Sequence, residues 1–140
     1  RYADCSIVVM AAAVADFTPR ETTPQKIKKE GKDGLRLELV PTADILKELV
    51  EGKKQGQVIV GFAAETSEVR EKARRKLRDK KVDLLVANEV SGKDSGFESD
   101  FNRAVFLFGD GTEEELDLMP KHDLAVRIWE AAVELLRSGA

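Results

Sequence analysis

The sequence predicts a three-layer α/β fold on a mixed sheet, mostly parallel, closed by an antiparallel hairpin at its C-terminal end. Three short apolar runs, at residues 6–13, 57–63 and 82–90, have the length and continuity of strands buried on both faces. Helical hydrophobic periods separate them, the alternation expected of parallel strands joined by crossovers. Near the end, Gly109-Asp110-Gly111-Thr112 divides two strand-like segments and reads as a tight hairpin turn.

Taken in order, Ser6–Ala13 is the first strand, and Ala15-Asp16-Phe17 closes it. Residues 17–34 show no hydrophobic period and read as a structureless, functional loop. Within it stand Lys26, Lys28, Lys29 and Lys32. Leu35, Leu37 and Leu39 alternate with Arg36 and Glu38, a half-exposed strand over 35–40. A helix from Ala43 to Lys53, capped by Thr42 or its neighbour, aligns Ile45, Leu46, Leu49 and Val50 before Gly52 and Gly56 break it. The second buried strand is Gln57–Ala63, and Thr66 or Ser67 caps a helix to Lys80 with Val69, Ala73 and Leu77 inward. The third buried strand is Val82–Val90, and 91–102 forms a polar loop. Strands at Arg103–Phe108 and Glu113–Leu118 make the hairpin. A last helix, Lys121–Leu136, turns Ala125, Ile128, Trp129, Ala132, Val133 and Leu136 to the core. Together these elements describe a Rossmann-like arrangement.

A chain of 140 residues is expected to form a single domain. Its net charge of −3 argues against general nucleic-acid binding, which draws on a basic excess. No apolar run reaches the roughly 20 residues of a membrane-spanning helix. Asp4 and Asp16 flank the first run, unlike the ends of a signal peptide. Cys5, the single cysteine, excludes an intramolecular disulfide, suits a reducing cytoplasm, and reads as a packed thiol at the start of a buried strand. A core strand within a few residues of Arg1, with no element ahead of it, predicts the later part of a larger domain.

Ligands of open α/β sheets bind beyond the carboxyl ends of the strands, so residues at those ends are the candidates. Asp16 could hold a ribose hydroxyl or a phosphate-bound Mg²⁺, or serve as a turn residue. Lys26 and Lys28, either side of an anchoring Ile27, could meet phosphates; a solvated charge run is the commoner use of such clusters. Gly61 would let a flat ligand approach the backbone, and Phe62 could lie against a base or join the core. Glu65 is a site residue or a first-turn acid. Lys72, Lys76 and Lys80 form one row along their helix and Arg70, Arg74 and Arg78 another. Asn88 shares the strand-end position of Phe62. Asp94, Phe97, Asp100 and Asn102 fall on the second loop without one standing out, and His122 reads as a surface residue. Walker and Gly-x-Gly-x-x-Gly phosphate loops are absent from the sequence, as is a Cys/His zinc cluster.

Ala11-Ala12-Ala13-Val14-Ala15-Asp16-Phe17, Lys26-Ile27-Lys28-Lys29, Asp44-Ile45-Leu46, Val60-Gly61-Phe62-Ala63-Ala64-Glu65-Thr66, Lys76 with Lys80, and Ala87-Asn88 occur in that order. This ordered set resembles the phosphopantothenate–cysteine ligase (phosphopantothenoylcysteine synthetase) domain of bacterial coenzyme A biosynthesis, over essentially the whole chain. The resemblance implies activation of the 4′-phosphopantothenate carboxylate by CTP, release of pyrophosphate, and displacement of CMP from the acyl cytidylate by the amine of cysteine. It implies a CTP site drawn from Met10, Ala11, Ala12, Asp16, Lys26, Ala43, Asp44, Ile45, Leu46, Phe62, Lys76 and Lys80. Asp16 would contact CTP or its Mg²⁺, and Lys26 would be the catalytic residue, facing phosphates and developing charge. Ala43 stands where the bacterial family commonly has proline.

The resemblance further implies a cytoplasmic homodimer, with no nucleic-acid or membrane partner. FMN would be required only by an upstream decarboxylase domain, which is absent here. The family's glycine-rich first strand–loop and the asparagine that handles the acyl cytidylate are likewise not found in 1–140. The expectation is a chain that binds CTP without completing ligation alone. A non-catalytic nucleotide-binding α/β module is the alternative, whereas a flavodoxin-like or phosphatase-like domain fails for want of a phosphate loop after the first strand.

Overall fold

The computed structural model describes residues 2–28, 34–65, 77, 79–89 and 99–139. Two compact units emerge, one of residues 1–11 and 46–140, the other of residues 12–45. The first holds a five-stranded sheet, of β1 (Ile7–Met10), β4 (Val58–Glu65), β5 (Leu84–Glu89), β6 (Phe101–Phe108) and β7 (Glu113–Pro120), in that spatial order. β1, β4 and β5 run parallel; β6 and β7 extend the sheet antiparallel. This is the predicted mixed α/β sheet with its C-terminal hairpin.

Alternation along the strands sorts the core into two faces. Val58, Val60, Leu84, Val86, Ala104 and Phe106 face helix α2 (Lys121–Ser138), which returns Leu124, Ile128 and Ala132. Ile59, Ala63, Leu85, Ala87 and Leu107 form the opposite face, covered by Leu46, Leu49 and Val50 of helix α1 (Ile45–Glu51) and by Leu77. A side chain at Gly61 would strike Leu46 Cδ2 at 2.8 Å. Gly61 therefore admits the helix to the sheet, not a flat ligand as expected.

The N-terminal end of the sheet is tied by one carboxylate. Asp83 Oδ1 accepts from Lys53 Nζ at 2.5 Å, and Oδ2 accepts from the buried Ile59 N–H at 2.7 Å. Its main chain donates to Ile59 O and accepts from Gly109 N. The two side chains are only 22% and 13% exposed, so this pair is far less screened than a surface one. Gln57, also buried, works similarly: its Nε2 donates to Tyr2 O and Cys5 O, while Oε1 accepts from Lys54 N. It thereby anchors the segment leading into β1.

The second unit is smaller. β2 (Phe17–Pro19) pairs antiparallel with β3 (Leu39–Pro41), and the ladder is continued by Arg20 N donating to Glu38 O and by an Arg20–Glu38 ion pair at 2.8 Å. Thr42 does not cap α1; its N–H donates to Asp16 O and its hydroxyl to Ala15 O.

Several boundaries correct the sequence expectations. β1 stops at Met10, and Ala11–Ala15 are exposed without regular structure. β1 is also an edge strand among those described, with Val9 43% exposed, not a strand buried on both faces. Cys5 is exposed instead of packed. The loop expected from residue 17 begins with β2, and the strand expected over 35–40 shrinks to Leu39–Pro41. These short strands are paired through the main chain with largely exposed side chains, so β2 leaves no period to read and the alternation of 35–40 overstates the length of β3. The expected 43–53 helix spans Ile45–Glu51. Of the 66–80 helix, residues 66–76 and 78 lie outside the described residues, while Leu77, Asp79 and Lys80 are helical. Residues 91–98 of the second loop also lie outside them, as does Val90 of the expected third strand, which spans Leu84–Glu89. The rest of that loop is partly strand, because β6 begins at Phe101. On α2, Trp129 and Ala125 are exposed, and Leu124 takes the core position instead. No helix among the described residues is long and apolar enough to cross a membrane.

Two expectations follow. Asp83→Ala strands the Ile59 N–H and the Lys53 ammonium, so urea unfolding should show a loss of about 1–3 kcal/mol. Asp83→Asn, which keeps an acceptor for Ile59, should lose less; equal losses would contradict the role of that hydrogen bond. In the hairpin turn, the N–H and hydroxyl of Thr112 donate to Asp110 Oδ1, chiefly the N–H holding its carboxyl below the ordinary value of 3.8. A lowered folded pKa contributes stability above the unfolded value, lost as pH falls through the folded one. The stability gap between the native chain and Asp110→Asn should therefore be present at neutral pH and close in acid; a gap that persists in acid would refute the assignment.

Candidate functional site

The parallel strands present their carboxyl ends together at one end of the sheet. Met10 ends β1 and pairs with Gly61, placing it beside Phe62 on the neighbouring strand. Phe62 is half-buried and packs against the core on the α2 face. Register and alternation bring two asparagines to the same face and end. Asn88 pairs with Ala104, and Asn102 lies two residues further along β6, so the two are diagonal cross-strand neighbours, about 7–8 Å apart at Cα.

Both asparagines carry a buried Oδ1 without a hydrogen-bond partner among the described residues, and Asn102 is only 9% exposed. Burying an amide oxygen without a donor costs roughly 1–3 kcal/mol. Two such oxygens at the ligand-binding end of an α/β sheet describe a polar site awaiting N–H or O–H donors. Sequence reading gave Asn88 a strand-end position and left Asn102 in a loop. The apolar alternation of Ala104, Phe106 and Phe108 continues back to Asn102 and was the signal that could have placed it in β6.

The other expected site residues distribute as follows. Ala11 is exposed in the first unit, just beyond β1. Ala12, Asp16, Lys26, Ala43, Asp44 and Ile45 belong to the second unit. Asp16 and Lys26 are exposed there, and Asp16 directly precedes β2. Ile27 lines a hollow of about 370 Å³ with Arg20, Thr23 and Leu37, while the flanking Lys26 and Lys28 are exposed. Leu46 spends its side chain on the Gly61 contact, leaving its main chain for any ligand. Lys80 stands four residues before β5, on the segment entering the N-terminal end of that strand, so it is not gathered with Met10 and Phe62. Lys76 lies outside the described residues.

A cavity of about 720 Å³ occupies that opposite end, lined by Leu77, Lys81, Leu107, Phe108 and Leu135 along with the hairpin turn. It is roomier than the hollow of the second unit, about 370 Å³. Volume alone does not locate a site, however, and the buried unpartnered acceptors lie at the other end. Among the described residues no three His, Cys, Asp or Glu side chains gather to hold a metal ion. Asp16 itself is exposed, directly before β2.

Comparison with known proteins agrees with this architecture. The chain is 47% identical over 127 residues to the coenzyme A biosynthesis bifunctional protein CoaBC of Bacillus subtilis (strain 168), covering 91% of this chain and 31% of that protein. The chain thus spans about a third of the curated relative it matches. The crystal structure of the C-terminal domain of a CoaBC superposes with a TM-score of 0.74 at 33% identity, covering 98% of this chain and 58% of that one. A Cab2 variant in complex with phosphopantothenate-cysteine superposes with a TM-score of 0.55 at 28% identity, covering 76% and 36%. A family model matches residues 1–136, and the chain belongs to the family it describes, the DNA/pantothenate metabolism flavoprotein C-terminal domain.

Proposed function

We propose that this chain is the CTP-binding part of a ligase in coenzyme A biosynthesis, joining 4′-phosphopantothenate to cysteine through an acyl cytidylate. The pair of buried, unpartnered amide oxygens at the carboxyl ends of the strands carries the proposal, in a family whose relatives include CoaBC and a protein crystallised with phosphopantothenate-cysteine. Such oxygens suit the exocyclic amine of a base or the hydroxyls of a ribose, with Phe62 offering a flat apolar neighbour.

By resemblance, Met10, Ala11 and Ala12 and the Ala43–Leu46 segment would give main-chain groups to the nucleotide. Asp16 would hold it through Mg²⁺, Lys26 would face phosphates and Lys76 would complete the site. Lys80, which the resemblance adds to them, enters the opposite end of β5 and is not among the groups proposed to reach the phosphates. Lys26 would act in catalysis by stabilising charge as pyrophosphate leaves. Mg²⁺ would screen the triphosphate. FMN is assigned to the decarboxylase part of longer relatives and not to this chain. CTP binding without ligation is expected of residues 1–140 by themselves, and their turnover of phosphopantothenate and cysteine would overturn that. The single cysteine supports a cytoplasmic setting.

Calorimetric titration separates the outcomes. CTP with Mg²⁺ should bind more tightly than ATP or UTP, and Lys26→Ala should weaken it tenfold or more. Preference for ATP, or an unchanged affinity in Lys26→Ala, would refute the nucleotide assignment. Asn88→Leu should weaken CTP at least tenfold yet leave the ligand-free chain as stable as before or more so, by about 1 kcal/mol, since it removes an orphaned acceptor. A destabilised Asn88→Leu with native CTP affinity would assign Asn88 to the fold alone.

The homodimer is proposed on the second unit, where Phe17, Leu35, Leu37 and Leu39 are all more than half exposed, an apolar surface unusual for a monomer. Sedimentation equilibrium should give a dimer for the native chain and a monomer for Leu37→Arg; a monomeric native chain would contradict this.

A further inference from the structure

Thr42 follows β3 directly and is half-buried, while Ala43 and Asp44 after it are exposed. Its two hydrogen bonds converge on one residue from both sides. The N–H donates to Asp16 O at 2.9 Å, and the hydroxyl Oγ1 donates to Ala15 O at 2.5 Å. These carbonyls belong to the two peptide groups that flank the Cα of Asp16. A peptide group is planar, so the planes on either side of a Cα fix that residue's φ and ψ. With both planes held, the direction of the Asp16 Cα–Cβ bond is set.

The two bonds differ in origin. The N–H bond continues the β2–β3 ladder, in which Phe17 pairs with Pro41 and Thr18 with Val40. Any residue but proline could make it at position 42. The hydroxyl bond depends on the side chain, and it lies where the ladder has ended, since Ala12–Ala15 are exposed and without regular structure. Among the described residues it is the hydrogen bond that holds the Ala15–Asp16 peptide group. Threonine suits this role, because its β-branch restricts χ1 and keeps the hydroxyl aimed. The carboxylate of Asp16 takes no part in the clasp, and the residue is exposed. A fixed backbone beneath an open carboxylate suits a group presented to a ligand.

We propose that Thr42 is the positioning residue for Asp16: its hydroxyl fixes the φ of Asp16 and so aims the carboxylate at the nucleotide. The inference rests on the proposed function, in which Asp16 meets the nucleotide and Thr42 touches no substrate. The same clasp joins the main chain before β2 to the head of the Ala43–Ile45 segment, two stretches assigned to one ligand. Freeing a backbone torsion spreads the carboxylate over several directions, and affinity falls with the fraction still correctly aimed. The cost of ordering one residue's backbone puts that fraction at about one in five.

Calorimetry with CTP and Mg²⁺ on the 140-residue chain supplies the first test. Thr42→Val, which keeps the shape and the main-chain bond, should weaken CTP about fivefold, and Thr42→Ser should return it to within about twofold of native. In the Asp16→Ala chain, already weakened, Thr42→Val should cost nothing further, whereas a merely structural threonine would cost the same there. Equal losses in the two backgrounds overturn the proposal, as does native affinity in Thr42→Val. So does native affinity in Asp16→Ala, which would leave Thr42 nothing to aim. The second readout needs no ligand. The vicinal HN–Hα coupling of Asp16, which reports its φ, should move to an averaged value in Thr42→Val and stay native in Thr42→Ser. A native chain that fails to bind CTP defeats the proposed function; an unchanged coupling in Thr42→Val defeats the positioning of Asp16 whether or not CTP binds.

Discussion

The fold depends on the carboxylate of Asp83. It stands where the crossover ends and β5 begins, and it accepts from the ammonium of Lys53 and the N–H of Ile59, while the main chain of the same residue donates to Ile59 O and accepts from Gly109 N. These link the α1–β4 connection, the start of β4, the start of β5 and the hairpin turn. Gly109 can come this close because it has no side chain; a Cβ there would sit 3.2 Å from Val82 O. A partly buried carboxylate is tolerated because its acceptor sites are answered by a cation and a main-chain donor. Loss of that one side chain leaves the Ile59 N–H and the Lys53 ammonium without their acceptor, while the main-chain bonds to Ile59 and Gly109 remain.

The opposite end of the sheet is built on a contrary principle. There the strands stop with polar oxygens buried and unanswered, at Asn88 and Asn102, beside an aromatic that is only partly covered. Satisfaction at one end gives a rigid base, and its absence at the other leaves binding energy for a ligand. The same division separates a structural from a functional end in other open α/β sheets.

Much of this was legible in the sequence, for physical reasons. Strands flanked on both faces need continuous apolar runs, so β4 and β5 were visible, and Gly109-Asp110-Gly111-Thr112 announced the hairpin through its turn chemistry. Ordered motifs around Asp16, Lys26, Phe62 and Asn88 pointed to the family that the comparisons show. The rest depended on tertiary partners. β2 (Phe17–Pro19) leaves no hydrophobic period, because its side chains are exposed and only its main chain is paired. Asp83 looked like an ordinary strand residue because its role is to accept from a main chain 24 positions away. Trp129 was expected in the core because its helical spacing is that of a buried residue, but the buried line of the helix runs through Leu124, Ile128 and Ala132 and leaves it exposed. Gly61 showed a close approach correctly, but the approaching group is Leu46.

The central claim is that the ligand belongs at the carboxyl ends of the strands, at the unsatisfied end. The most direct measurement is a map of amide and side-chain NMR shifts in the 140-residue chain on adding CTP with Mg²⁺. The largest changes should fall on Met10, Phe62 and the side-chain amides of Asn88 and Asn102. Changes concentrated instead at Leu77, Gly109–Thr112 and Leu135, around the roomier cavity at the Asp83 end, would contradict it.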